Sequence, residues 1–364
     1  MRRMKGALLT GPGQPLQIVD DLMIDAPRPG EALVRVTHCG ICQSDVSIID
    51  GKMPYPLPAV LGHEAAGEIV ALGTPDDGFK AGDRVVLSMR APCDECFHCR
   101  HGQPVLCEKS AAPPGVGEAR LWRDGRPVTR GFQLGAFAEY ALVSLRGLAP
   151  VPEALPSDQA AITGCAVQTA YGSVHNVARL TAGDSACVIG LGGIGLAELM
   201  TLRAAGAGAI AAVEPNASRR EAAQAFGADC ALAPDDPALS DRLMALTGGR
   251  GFDIVFDNVA TTGTSDLALR LTRAGGKLVL VGVTGAPQPP GFSTMDLVLR
   301  QKTVTGAFLG NCHPRRDLPR IMEMAITGRM DLGALVTATL PFDDINEGLA
   351  RFRRGEGVRT VLCL

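Results

Sequence analysis

"SACVIGLGGIGLAELM", residues 185–200, decides how this chain is read. A short apolar run of strand texture enters Gly190, Gly192 and Gly195, a G-x-G-x-x-G turn, and an Ala- and Leu-rich helix follows at once. Alone, such a turn carries little weight. Between a strand and a helix it gains a physical purpose: glycines permit the tight turn, and the backbone can approach a pyrophosphate whose charge meets the helix N-terminus. Gly190, Gly192, Gly193, Ile194 and Gly195 are therefore expected to bind a dinucleotide. Glu214 closes the next strand, 19 residues beyond Gly195, where a carboxylate can accept both ribose hydroxyls. It would repel a 2′-phosphate, which favours NAD over NADP, although Arg219 and Arg220 lie near enough for an arginine to turn toward one.

The same texture extends outward. From about residue 165 to 308, strands, glycine turns and Ala-rich helices alternate, as in "AIAAVE", "RREAAQAFGA", "GFDIVFDNV", "SDLALRLTRAGG" and "KLVLVGV". This pattern predicts a doubly wound parallel sheet. Before about residue 155, short β-type runs such as "EALVRVTHCG", "GDRVVLS" and "FAEYALV" alternate with Gly and Pro, as in a small β-rich domain. Beyond residue 309 the chain offers helices near 317–327 and 343–353 and a closing strand, "GVRTVLCL". The expected fold class is α/β: a β-rich domain over 1–166, a doubly wound parallel-sheet cofactor domain over 167–308, and a last stretch over 309–364.

Composition narrows the partners. The chain has 364 residues, 46% hydrophobic and 20% charged, enough for about two soluble domains. A net charge of −3 and a pI near 6.1 give no electrostatic case for nucleic acid or an anionic membrane, which leaves small molecules. No run approaches the roughly 18 apolar residues of a membrane span, and the N-terminal apolar run is too short for a secretory signal, so a cytoplasmic location is expected. Eleven cysteines in such a setting point to metal or thiol chemistry rather than disulfides.

Six of the eleven fall between residues 39 and 107. "CDECFHCRHGQPVLC" holds Cys93, Cys96, Cys99 and Cys107, whose compact spacing can close four thiolates around Zn²⁺ with no open position, a structural site. Iron–sulfur runs use other spacings. His98 and His101 inside the loop read as solvated residues, and the surroundings lack the basic, aromatic character of a nucleic-acid zinc ribbon. "CGICQSD", residues 39–45, is less decided: Cys39 and Cys42 could be a redox dithiol, half of a zinc clip, or an accident. A catalytic zinc needs three protein ligands and one free position. The candidates are Cys39, Cys42, His63 in "LGHEAAG" and Cys165 in "TGCAVQTAYG".

Taken together, "GICQSD", "GHEAAGEIVALG", the Cys93–Cys107 lobe, "GLGGIG", "INEG" and "VRT" resemble the zinc-dependent alcohol dehydrogenases of the medium-chain dehydrogenase/reductase superfamily, over essentially the whole chain. The resemblance implies a GroES-like catalytic domain over 1–166, a Rossmann domain over 167–308, a return to the catalytic domain over 309–364, and two zinc ions per chain. It selects Cys42, His63 and Cys165 as catalytic ligands, leaving Cys39 a spare strand thiol. It makes Asp45 the acceptor of the other His63 ring N–H, and Glu64 the carboxylate behind the metal, unless it merely pairs with Arg359. Ser44 becomes the proton-relay hydroxyl. Gln43, Thr169 and Arg359 join the cofactor contacts, with Gln43 neutral where the family often has Arg or His. A second departure is Ser47, where many members carry a histidine that completes the relay; Ser47 or water is expected to replace it.

A cysteine at 165, where polyol dehydrogenases tend to carry glutamate, leans toward oxidation of simple primary or secondary alcohols, aromatic ones included, with NAD. The apolar residues of the long segment from Cys107 to "GAFAEY", Leu121 and Trp122 in "EARLWRDGRPVTRGF" among them, are expected to line the outer substrate pocket, with Trp122 equally suited to core packing and Met89 deeper in the pocket. S-(hydroxymethyl)glutathione dehydrogenase and polyol dehydrogenase are the enzymatic alternatives; the first is ranked lower because the acidic pair it uses is missing after Ser47. A zinc or thiol redox sensor with a nucleotide-binding domain is the non-enzymatic one. The family assembles through its cofactor domains, so a homodimer or homotetramer is expected, with "KLVLVGV" and "GFSTMDLVLR" suited to the contact.

Overall fold

The computed structural model describes residues 1–75, 78–110, 118–284 and 292–364. The chain divides into two compact units, one of Met1–Ala166, Cys312–Gly328 and Leu332–Leu364, the other of Val167–Asn311 and Arg329–Asp331.

The second unit is built on a six-stranded sheet in which every pairing is parallel. Its strands run Cys230–Leu232, Ile210–Val213, Ala186–Ile189, Phe252–Asp257, Thr272–Leu280 and Thr303–Gly306 across the sheet. The central strands are uninterrupted apolar runs, "ACVI" and "IAAV", buried throughout, as expected when helices cover both faces. Winding reverses between Ala186–Ile189 and Phe252–Asp257, and the crevice outside the carboxyl ends of strands at such a reversal is where ligands bind. The glycine loop leaves Ala186–Ile189 there and enters the helix Gly193–Ala204. Gly195 has no substitute at this point, since a Cβ on it would lie 2.1 Å from the Gly190 carbonyl oxygen.

The first unit carries two antiparallel-rich sheets of six and seven strands. Strand Glu31–Gly40 is the hub of the larger one, pairing with Glu64–Leu72, Tyr140–Ser144 and the last strand of the chain, Arg359–Cys363. That last pairing, with helices Pro314–Ile326 and Ile345–Arg353 burying Leu318, Ile321, Ile345 and Leu349, is what returns the C-terminal segment to this unit. In the smaller sheet, Leu121–Arg123 pairs with Gln17–Ile24. Leu121 is fully buried there, and the Trp122 indole N–H donates to Asp25 Oδ1, so both serve the sheet. Residues 111–117 of the same segment lie outside the described residues.

Candidate active site and metal centres

The chain leaves strand Glu31–Gly40, passes Ile41, and at Cys42 turns into the short helix Gln43–Ile49. Asp45, in its first turn and fully buried, accepts the backbone N–H of Cys42 (3.3 Å) and of Gly62 (3.0 Å), and faces His63 Nδ1 at 3.2 Å. His63 stands immediately before strand Glu64–Leu72, whose first residue pairs with Gly40. Cys165 comes from a wide π-helical turn, Thr163–Val167, a local form often found at functional sites.

Sulfur, nitrogen and carboxylate atoms of Cys42, His63, Cys165 and Glu64 all lie within 4.8 Å of one another, and all four residues are buried. His63 Nε2 and both Glu64 oxygens have no hydrogen-bond partner among the described residues. Arg359 Nη1 sits 3.5 Å from Glu64 Oε1 and donates to the Ile41 carbonyl. Burial outweighs that arginine and pushes the Glu64 carboxyl up to about 8. A hydrogen bond from Cys165 drives the Cys42 thiol well down against the cost of burial, and the same bond pushes Cys165 up. Burial works against charge on His63, yet Asp45 and Cys42 raise its pKa well above that of a free imidazole. The set thus crowds ionisable donors into a buried space, with His63 Nε2 and Glu64 Oε2 lacking a hydrogen-bond partner among the described residues and Glu64 Oε1 only near Arg359. A divalent cation answers both conditions, and its binding displaces the protons that hold such sets together without it.

Cys39 does not join this group. It is fully buried in strand Glu31–Gly40, and burial pushes its thiol well up, the opposite of what an exchanging dithiol requires. Ser44 Oγ lies 3.9 Å from Cys42 Sγ, while Gln43 Nε2 donates to Ser47 Oγ at 3.2 Å. Met89 is buried.

Cys93, Cys96, Cys99 and Cys107 bring their sulfurs within 4.8 Å of one another, with Cys93 and Cys99 4.0 Å apart. Four thiolates at ~2.3 Å from a zinc ion have edges of ~3.8 Å, so the cluster is close to a zinc tetrahedron. Cys93 N–H donates to Cys107 Sγ and Cys96 N–H to Cys93 Sγ, as thiolate ligands require. Nδ1 of His98 is bonded to Gln103 Oε1 and Nδ1 of His101 to the Phe97 carbonyl, and neither histidine belongs to the cluster.

In the second unit, Glu214 Oε2 accepts the Leu191 N–H (2.6 Å) and Oε1 the Asn216 N–H (2.9 Å), tying the end of strand Ile210–Val213 to the glycine loop. Arg220 Nη1 is committed to the Glu214 and Pro215 carbonyls, and the Arg219 backbone N–H caps onto Asn216 Oδ1. Thr169 is buried in the helix Gln168–Gly172.

Two aromatic residues stand beside the donor set: Tyr55, to which the sequence assigned no role, and Phe132, which ends the segment "EARLWRDGRPVTRGF". The Phe132 ring lies 4.2 Å from the His63 ring, centroid to centroid, and the Tyr55 hydroxyl accepts the Phe132 N–H at 2.8 Å. The one local signal was the "GFQLG" bracket of glycines around a turn.

Residues 28–153 match the family model for the alcohol dehydrogenase GroES-like domain and residues 193–327 that for zinc-binding dehydrogenase. The chain is 35% identical to S-(hydroxymethyl)glutathione dehydrogenase of Haemophilus influenzae, over 99% of this chain and 97% of that protein. It is 34% identical to putative alcohol dehydrogenase D of Mycobacterium tuberculosis, over 98% of each. Among solved structures, an alcohol dehydrogenase zinc-binding domain protein from Burkholderia ambifaria superposes with a TM-score of 0.93 at 30% identity, covering 100% of this chain and 99% of that one. Benzyl alcohol dehydrogenase from Acinetobacter calcoaceticus gives 0.93 at 27% identity, covering 100% of both. With fold, family models and full-length relatives in agreement, the chain belongs to the zinc-dependent alcohol dehydrogenases of the medium-chain dehydrogenase/reductase superfamily.

Proposed function

We propose that this alcohol dehydrogenase oxidises a primary alcohol, aromatic ones included, to its aldehyde with NAD, reversibly, using one zinc ion held by Cys42, His63 and Cys165 and a second, structural, held by Cys93, Cys96, Cys99 and Cys107. One observation carries it: four buried donors converge within 4.8 Å, and three of their polar atoms make no hydrogen bond among the described residues, Glu64 Oε1 having only the 3.5 Å ion pair with Arg359. Bound there, zinc supplies Lewis acidity toward a substrate oxygen. Asp45 keeps the His63 proton on Nδ1, so Nε2 presents its lone pair to the donor centre. Glu64, with two unbonded oxygens, stands as a fourth donor. Ser44, whose Oγ lies 3.9 Å from Cys42 Sγ, takes the alcohol proton and passes it on to water or to the Ser47 hydroxyl, which accepts one bond from Gln43 and keeps a second lone pair.

The NAD preference rests on Glu214, whose carboxylate is fixed at the glycine loop by two backbone amides, leaving further lone pairs for ribose hydroxyls and repelling a 2′-phosphate. Gly190, Gly192, Gly193, Ile194 and Gly195 would receive the pyrophosphate, with Thr169 and Arg219 of the same unit as further contacts. Met295, Val298 and Leu299 are strongly exposed on the helix Thr294–Arg300, next in sequence to the edge strand Thr303–Gly306, which suits self-association into a dimer or tetramer.

The test is zinc content by mass spectrometry together with a panel of alcohols, read by absorbance of reduced cofactor with NAD and NADP. Two zinc ions per chain and NAD-dependent oxidation of benzyl alcohol are expected; one zinc or none, with no turnover of any alcohol, refutes the reading. Ser44→Ala should lower the rate at neutral pH by roughly 10²-fold or more, and retention of most of the rate removes Ser44 from the relay. The 35% identity with S-(hydroxymethyl)glutathione dehydrogenase favours a second reading, oxidation of the formaldehyde–glutathione adduct, which formaldehyde plus glutathione in the same panel decides.

A further inference from the structure

Phe132 and Gln133 are consecutive non-glycine residues in the left-handed region, with φ of 52° and 66°. Side chains larger than hydrogen disfavour that region, and such strain persists only where surrounding contacts over-determine it. Here the contacts are visible. Gln133 Nε2 donates to the Ser110 carbonyl at 3.0 Å, and the Phe132 N–H donates to the Tyr55 hydroxyl at 2.8 Å, a bond between residues 77 apart in sequence. Strand Thr129–Arg130 pairs in parallel with Ala59–Val60, which sets this turn beside the segment leading to His63.

The strained conformation has one evident product. It holds the Phe132 ring 4.2 Å from the His63 ring, tilted by 47°, with the Tyr55 ring 5.9 Å beyond. His63 is the residue whose Nε2 lacks a partner, so a substrate oxygen brought to the donor set has this aromatic surface next to it. Phe132 and Tyr55 are only partly buried, which leaves apolar ring area for a ligand to cover.

We propose that Tyr55 is a positioning residue for substrate specificity: its hydroxyl clamps the Phe132 backbone, and the Phe132 ring so held selects planar aromatic primary alcohols over flexible aliphatic ones. The proposal rests on the alcohol dehydrogenase reading above. Ring pairing favours a flat partner that loses little conformational freedom, and a preference of roughly 3- to 10-fold is the size expected of one aromatic contact. Tyr55→Phe keeps the ring and removes only the acceptor, so a fall in the clamp's grip appears as selectivity rather than as loss of fold.

The experiment measures kcat and KM for benzyl alcohol and for 1-hexanol in the zinc-loaded wild type, Tyr55→Phe and Phe132→Leu. Calorimetric binding of benzamide against hexanamide, to the same proteins with NADH, is the readout that needs no turnover. The expected result is a roughly 3- to 10-fold fall in the benzyl-to-hexyl ratio of kcat/KM in both variants, carried by KM for benzyl alcohol, with a matching loss of benzamide preference. An unchanged ratio in Tyr55→Phe overturns the proposal. So does an equal loss for both alcohols accompanied by a lowered melting temperature, which is the mark of a purely structural bond. If the wild type oxidises neither alcohol, the alcohol dehydrogenase reading fails instead, and the amide binding still reports whether Tyr55 governs the aromatic surface.

Discussion

Glu198 sits in the helix Gly193–Ala204, fully buried, two turns past Gly190. One oxygen accepts from Asn258 Nδ2 at 2.6 Å; the other, and Asn258 Oδ1, have no partner among the described residues. Burial pushes this carboxyl from 4.5 up to about 8, with Asn258 opposing and Asp257 adding to the rise. The direction of the pH effect follows. Below about pH 4.5 both folded and unfolded chains carry the proton, so the group costs nothing. Between about 4.5 and 8 the unfolded chain has released the proton and the folded chain keeps it, so each pH unit costs the native state about 1.4 kcal/mol. At pH 7 the accumulated cost is ~3 kcal/mol, and above about 8 it levels off. Glu198→Gln reproduces the neutral acid, since the amide oxygen can accept from Asn258 and the amide N–H₂ can donate. The substitution should therefore leave stability unchanged near pH 4.5 and raise it by ~3 kcal/mol at pH 7, roughly 6–12 °C in melting temperature for a unit of this size. Thermal and urea unfolding from pH 4.5 to 8.5 measures it. A gain independent of pH, or a loss at pH 8, would show that Glu198 is ionised in the folded protein and that the argument from its burial is wrong.

Two further substitutions test the metal centres. Asp45→Asn removes a carboxylate that serves two backbone amides and the His63 ring, and at least one buried donor loses its partner. Zinc affinity at the catalytic site should fall 10- to 100-fold or about 1.4–2.8 kcal/mol, read by chelator competition; a change under about twofold would detach Asp45 from the ligand's orientation. Cys107→Ser should remove one of two zinc equivalents and lower the melting temperature while the other equivalent stays bound, because the two donor sets share no residue. Loss of both ions together would contradict that independence.

How much of this was legible in the sequence depended on the reach of each signal. Strands Ala186–Ile189 and Ile210–Val213 announce themselves because a strand buried on both faces must be apolar throughout, and the glycine loop because a Cβ at Gly195 has nowhere to go. The Cys93–Cys107 lobe was legible because all four ligands lie within one loop. Trp122 could not be placed between pocket and sheet, since a strand of three residues shows no usable alternation. The link between Tyr55 and Phe132 was not legible because their bond spans 77 residues and involves a backbone amide, which leaves no side-chain signature. Glu198 passed as one polar residue in an Ala- and Leu-rich helix; only its burial makes it notable.

The catalytic donor set shows the same dependence on reach more sharply. Cys42 and His63 are 21 residues apart in sequence, and what joins them is the register of two antiparallel strands, with Gly40 facing Glu64 and Cys39 facing Ala65. A slip of one residue would turn every side chain of one strand to the opposite face, and a slip of two would carry the pair ~7 Å apart, beyond the span of one ion. Gly40 helps fix the register, because a Cβ there would lie 2.6 Å from Glu64 Oε2. The third strand of this group, Arg359–Cys363, pairs with the same residues from the other side, Leu362 facing Cys39, and so delivers Arg359 to Glu64. The proposed ligands Cys42 and His63 were therefore written locally, in "GICQSD" and "GHEAAG", but their geometry is a property of strands in register, to which the π-helical turn Thr163–Val167 adds Cys165. A substitution that shifts that register should abolish metal binding while leaving every ligand in place.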